Sequence, residues 1–347
     1  MKLTKDVIEF HKKCLVVDLH VDTLLLHRLF GYKLTRKHIT YLPKGIFCFH
    51  GDAPRFRIGN VGAVFLGLVP KPFGKNGKHI DKMIDVAEVT CQQAPHLCTM
   101  ARSAEDITKA RAENKTAFLL GIEGATALDG DPRRLRYFAK RGVRYFGFVH
   151  FNANFAATPG VGSGRKGVNA SQGLSKHGEL IVDECVRNGV IMDLAHASRE
   201  AFYKVIDLVP EKIPVIVSHC GVRRIKNTRR NLDEDQISAV ANTGGVIGIM
   251  NTSIFIGGKT MDDYIQHVLA VRDIAGYRHV AIGSDFDGFI FPMKHFEDMT
   301  KFPVLTQYLL DAGLPKQEVA AILGENALRV IKEIPPRYFG TRIDPLD

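Results

Sequence analysis

Seven side chains suited to hydrolytic chemistry lie where apolar runs stop. His20 and Asp22 close the run 15–22, Glu123 closes 116–123, and His150 closes 143–150. His196 ends 190–196, His219 ends 214–219, and Asp285 ends 279–285. If the first run is a strand, its period of two points His20 and Asp22 the same way. Imidazoles and carboxylates gathered without any need for cysteine describe a nitrogen- and oxygen-ligand site for one or two divalent metals, zinc first, with manganese or cobalt as alternatives. Glu123, with two oxygens, could bridge a pair of ions at the roughly 3.5 to 4 Å spacing of two-metal hydrolytic sites. A water held between them would lose a proton near neutral pH, so the chemistry implied is attack by a metal-bridging hydroxide. Asp285 is the candidate general base and then acid. His150 is expected to polarise the scissile carbonyl and stabilise the oxyanion. Arg230, beyond the sixth run, can reach back and pair bidentately with a substrate carboxylate.

These residues can meet only if the runs end on one rim. With 61–68 and 245–250 there are eight near-continuous apolar runs, separated by segments long enough for crossover helices. Parallel strands need such crossovers and are buried on both faces, so the pattern is that of an α/β chain forming one (β/α)8 TIM barrel with its site at the C-terminal strand ends. No internal linker divides residues 1–347, which read as a single domain. Helical spacing runs over 80–92 and 104–113 and around 180–186, with a short entry helix over 9–13. Another helix is expected to start at Asp131-Pro132, with aspartate as N-cap and proline at the first helical position. A terminal helical region spans 316–332 and breaks near Gly324. Residues 31–60 read as a long excursion over the mouth and 152–173 as a Gly- and Asn-rich loop.

The net charge of +10 would suit an anionic partner. Apart from Arg223-Arg224-Ile225-Lys226 and Arg229-Arg230, the basic residues are interspersed with acidic ones, and aromatics do not interleave with that cluster. A solvated loop or a site for an anionic group on a small substrate is favoured over a nucleic-acid surface. No apolar stretch reaches the roughly 18 to 20 residues of a membrane span, and the N-terminus lacks a signal-peptide core. Six cysteines without a CxxC pair read as free thiols of a reducing compartment. The expectation is a cytoplasmic protein with no membrane and no nucleic-acid partner.

The ordered motifs Asp18-Leu19-His20-Val21-Asp22, Gly121-Ile122-Glu123-Gly124, Asp193-Leu194-Ala195-His196, Val217-Ser218-His219, Arg229-Arg230-Asn231 and Gly283-Ser284-Asp285-Phe286-Asp287-Gly288 resemble the membrane dipeptidase (renal dipeptidase) family of zinc metallopeptidases, in the amidohydrolase superfamily. The resemblance implies two Zn2+ per subunit, with His20 and Asp22 on one ion, His196 and His219 on the other, and Glu123 between them. It implies that His150 and Arg230 bind the substrate carbonyl and terminal carboxylate, and that Asp285 both contacts substrate and transfers the proton. The implied substrate is a dipeptide, including those with a D-residue at the C-terminal side, and the implied assembly is a homodimer. The alternative is another metal hydrolase on the same barrel, a phosphoesterase or lactonase. Against it stand His-x-Asp where those relatives usually show His-x-His, and a glutamate bridge where several use a carboxylated lysine.

Overall fold

The computed structural model describes residues 3–38, 47–72, 74–162 and 173–337. Nine parallel strands form one sheet: β1 Val16–Val21, β2 Val61–Leu68, β3 Cys98–Met100, β4 Thr116–Glu123, β5 Val143–Gly147, β6 Ile191–Asp193, β7 Ile216–Cys220, β8 Val246–Ile249 and β9 Val280–Ile282. Pairing of β2 with β4 and of β1 with β9 closes eight of them into a ring in the order β1-β2-β4-β5-β6-β7-β8-β9. The chain is therefore a (β/α)8 TIM barrel. The three residues of β3, which the sequence pattern does not reveal, pair only with Thr116 to Phe118 of β4, below the point where β5 joins that strand at Leu120.

Val, Ile, Leu and Phe dominate the strands because both faces are covered. Every residue of β1, β2, β4 and β5 is buried. One apolar cluster, including Leu19, Phe65, Leu119, Tyr145, Ile191 and Ile216, is distinct from the larger layer packed beneath the helices. It is joined by Ile107 of helix Ala104–Ala112 and by Val330 and Ile331 of helix Asn326–Glu333.

Helix starts follow their caps. Ser103, Asp233 and Thr260 each form a capping box with the side chain three residues on, opening Ala104–Ala112, Glu234–Asn242 and Met261–Ala275. Helix Lys176–Asn188 opens on Ser175 and ends at Gly189, whose φ of 61° is a left-handed cap. The expected start at Asp131-Pro132 is corrected: Asp131 Oδ1 accepts the Arg133 backbone N–H in a turn, and the helix is Arg134–Lys140. The break near Gly324 is a π-helical turn, Ala321–Glu325, between helices Lys316–Ala320 and Asn326–Glu333. A Cβ on Gly324 would stand 2.5 Å from the Leu15 carbonyl oxygen, so the helix passes β1 at a distance only glycine allows.

The expected entry helix starts earlier, at Lys5, where Thr4 caps it. Within the 31–60 excursion, Asp52 caps a helix, Ala53–Ile58. The excursion does reach the mouth, where the His50 and Gly51 N–H groups donate to Asp287 at 2.6 and 3.2 Å. Residues 39–46 of that excursion and 163–172 of the Gly- and Asn-rich loop lie outside the described residues.

Candidate metal centre

The rim gathers all seven candidates, by a route that strand periodicity describes only in part. His20 and His219 lie within their strands and Glu123 ends β4, with Asp22 directly after β1. His150, His196 and Asp285 each stand three residues past the last hydrogen-bonded strand residue, in extensions with their own geometry. His196 and Asp285 have φ values of 65° and 61°, the left-handed region that non-glycine residues enter at a cost. These two side chains are aimed by backbone turns rather than by pleat.

His20 itself depends on an irregularity. Val17 pairs with Ala63 and Val21 with Leu66, so four steps along β1 match three along β2. That bulge lies between Asp18 and Val21, the stretch that holds His20. Gly67 of β2 provides the space beside it: a Cβ there would meet Asp22 Oδ1 at 2.3 Å and His20 Cε1 at 3.0 Å.

His20 Nε2 lies 3.3 Å from Asp22 Oδ1, 3.6 Å from Glu123 Oε2 and 4.0 Å from Asp285 Oδ1. Glu123 Oε1 lies 2.9 Å from His196 Nε2 and 3.4 Å from His219 Nε2, and those two nitrogens are 3.0 Å apart. His150 Nε2 is 3.7 Å from Glu123 Oε2, with about a third of its side chain exposed. Glu123 thus turns one oxygen to each of two ligand groups.

Cation fit can be judged from hydrogen bonding alone. His20 Nε2, Asp22 Oδ1 and Glu123 Oε2 are buried and have no hydrogen-bond partner. Such a cost is unusual unless an ion completes the set. On the other side, Ser218 Oγ donates to Asp193 Oδ2 at 2.6 Å, so its 2.8 Å contact with His219 Nδ1 must be an N–H donated by the ring. His219 Nε2 then carries a lone pair directed at a carboxylate oxygen, an arrangement that a divalent cation between them satisfies. The His20 ring is positioned by a 2.5 Å contact between its Nδ1 and the Tyr145 hydroxyl. Tyr145 fits inside the barrel because Gly121 faces it, where a Cβ would lie 2.0 Å from the ring. The residues present fit two cations.

Charge follows burial. Desolvation raises Glu123 well above the carboxylate range and lowers His196 and His219, while His150 is pushed down to about 4. His20 is raised to about 10, since Glu123, Asp22 and Asp285 together outweigh the burial that would lower it. Burial lifts Asp285 to about 7, with His20 opposing and Asp22 adding to the rise. Arg230 is buried, donates from Nη2 to the His219 carbonyl at 2.9 Å, and has no carboxylate partner among the described residues.

The supporting carboxylates carry no role in the sequence reading. Asp18 accepts the His20 and Ser284 N–H groups at 3.1 and 2.9 Å, stitching β1 to the Asp285 turn. Asp193 accepts from Ser218 N as well as from its hydroxyl. Asp287, with φ of 71°, accepts from Thr23 Oγ1 at 2.6 Å and anchors that turn to the excursion. A carboxylate inside an otherwise apolar strand, as at 18 and 193, is the signal that would reveal them. Within the basic cluster two members are paired: Arg223 meets Asp233 and Arg224 meets Glu234, at 3.3 and 3.0 Å.

Comparison with known proteins decides the family. The family model described as membrane dipeptidase (peptidase family M19) matches residues 4–336. The chain belongs to that family. It is a metal-dependent hydrolase of the dipeptidase group. Dipeptidase verJ of Clonostachys rogersoniana is 31% identical over 300 residues, 82% of this chain and 76% of its own length. An uncharacterised dipeptidase of Schizosaccharomyces pombe is 34% identical over 224 residues, 63% and 53% of the two chains. Among solved structures, the M19 metallopeptidase dipeptidase AC has a TM-score of 0.79 at 22% identity, covering 93% of this chain and 99% of its own. A Rhodobacter sphaeroides metallopeptidase liganded with a phosphinate mimic of L-Ala-D-Ala has a TM-score of 0.74 at 22% identity, covering 92% and 99%. Among the described residues no helix is long and apolar enough to cross a membrane.

Proposed function

We propose that this member of the family is a two-metal dipeptidase, zinc-loaded, that hydrolyses dipeptides and accepts L-Xaa-D-Xaa substrates. The observation that carries the reading is that His20 Nε2 faces one oxygen of buried Glu123 while His196 and His219 Nε2 face the other, with Asp22 Oδ1 beside His20 Nε2. Two divalent cations held there would supply Lewis-acid chemistry, activating water near neutral pH and polarising the substrate carbonyl. His20 and Asp22 would hold one ion, His196 and His219 the other, and Glu123 would serve both. Asp285 sits over the His20 side and moves the proton, first from water and then to the leaving amine. His150 stays neutral and donates an N–H toward the developing oxyanion. Arg230, a buried cation without a carboxylate partner among the described residues, binds the substrate's terminal carboxylate. Acceptance of a D-residue is supported by the fold shared with the protein that holds the L-Ala-D-Ala mimic. Six buried free cysteines support a reducing, cytoplasmic setting, and the family resemblance supports a homodimer, which sedimentation would check.

The test is turnover of L-L and L-D dipeptides by metal-replete protein, run beside p-nitrophenyl phosphate and a lactone. Dipeptide cleavage is expected. Ester or lactone turnover with inert dipeptides would replace this reading with that of another metal hydrolase on the same barrel.

A further inference from the structure

A cavity of about 300 Å³ opens beside Glu123 and His150, between the segments that follow β1, β2, β4 and β5, with Phe289 from the segment after β9. Its walls are largely apolar, with Leu25, Pro70, Pro72, Phe151 and Phe289 among them. Two cations, Arg28 and Lys71, stand in this lining. Among the described residues neither has a carboxylate partner within salt-bridge reach.

Both are held in place by the fold. Arg28 Nη1 donates to the Val69 carbonyl at 3.0 Å and lies 2.9 Å from His79 Nε2, which must accept because a guanidinium only donates. His79 is therefore neutral, and burial together with Arg28 and Lys71 holds its pKa down to about 4. It relieves none of the positive charge. Lys71 sits between two prolines, with its backbone N–H and carbonyl bound by the buried Asn76 side chain at 2.7 and 3.2 Å. Burial lowers the Arg28 pKa, and Asp22 opposes that shift. With Asp22 and Glu123 both committed to cations, Arg28 and Lys71 would be the charged groups of the lining left without a counter-charge.

Ring order tells which end of a substrate enters. In β1-β2-β4-β5-β6-β7-β8-β9, strand β7 is four steps from β2 in either direction, so Arg230, beyond β7, lies across the mouth from the cavity. A dipeptide whose C-terminal carboxylate is bound at Arg230 directs its N-terminal residue over the metal centre toward β1, β2 and β4. We propose that this cavity takes the side chain of the substrate's N-terminal residue and selects one that ends in an anionic group, so that acidic-first dipeptides such as L-Glu-Xaa and L-Asp-Xaa are preferred. The apolar walls suit the methylene stem, and Arg28 and Lys71 the carboxylate. This inference rests on the dipeptidase reading and on Arg230 as the carboxylate anchor.

Steady-state kcat/KM of the metal-replete enzyme on L-Glu-L-Ala, L-Gln-L-Ala, L-Lys-L-Ala and L-Ala-L-Glu is the test. One charge-assisted contact predicts a preference for Glu-Ala over the isosteric Gln-Ala of about tenfold. Because Lys71 is exposed, that ratio should shrink with added salt. Lys71→Glu, a surface change that leaves the barrel intact, should lower the Glu-Ala to Lys-Ala ratio by at least about tenfold. Equal turnover of Glu-Ala and Gln-Ala, or a ratio that Lys71→Glu does not move, overturns the inference while leaving a dipeptidase. A preference for Ala-Glu over Glu-Ala overturns the assignment of ends. Failure to cleave any of the four overturns the dipeptidase reading, and the inference with it.

Discussion

Gly67→Ala is the smallest change that should disable the centre without touching a ligand. Gly67 pairs with Gly121 in mid-sheet and has no left-handed φ, so alanine is conformationally allowed there. The new Cβ would stand 2.3 Å from Asp22 Oδ1 and 3.0 Å from His20 Cε1. A methyl carbon and an oxygen settle at roughly 3.3 Å or more, so the carboxylate must withdraw by about 1 Å. A displacement of that size in a reacting constellation costs on the order of 100-fold. That corresponds to about 2.7 kcal/mol of transition-state stabilisation. The assay is kcat/KM on a dipeptide together with elemental analysis of bound metal and a thermal melt. The expected result is a loss of about 100-fold and weakened retention of the ion held by His20 and Asp22, with a cooperative melt preserved. Activity within about threefold of the parent with full metal content would refute the argument that β2 leaves this space for the ligands.

Four further outcomes follow from the same geometry. Ser218→Ala removes the hydroxyl that links Asp193 to His219 and should weaken metal affinity by about 10- to 100-fold, read by chelator competition. Asp285→Asn should lower kcat by about 10² to 10⁴ while bound metal is unchanged. Arg230→Ala should raise KM for free dipeptides, and an unmodified enzyme that cleaved amidated dipeptides equally well would show the anchor assignment to be wrong. His267 accepts the Val222 N–H at Nδ1 and donates to the Ile256 carbonyl from Nε2, at 2.8 and 3.0 Å, and burial lowers its pKa from 6.5. The unfolded chain then binds the proton more readily, so this contribution is complete above pH 6.5. It is lost as pH falls from there toward the folded-state value, at up to about 1.4 kcal/mol per pH unit. His267→Gln should flatten the acid limb of a stability-against-pH curve.

The barrel was legible because a strand buried on both faces leaves a continuous apolar run, and eight such runs with crossover spacing admit few other folds. Seven of the candidate site residues were legible because each stands at the end of such a run with a side chain able to ligate a metal; Arg230, in a loop, was not marked in that way. The means of aiming them was not. Periodicity extends the runs to His150, His196 and Asp285, whereas the ladder stops three residues earlier and left-handed turns take over at His196 and Asp285. Neither the β1 bulge nor the short strand β3 alters composition enough to be seen. The Arg28 and Lys71 cavity depends on segments brought together from β1, β2, β4, β5 and β9, which no local pattern encodes.

The central claim is that one buried glutamate is shared by two cations. Metal content per chain, measured by elemental analysis on active protein after removal of loose ions, tests it most directly. The account predicts about two divalent ions per chain in the parent and a loss of both in Glu123→Ala, because each group of ligands uses one of its oxygens. A fully active enzyme with a single ion per chain, or a Glu123→Ala variant that keeps two, would contradict it.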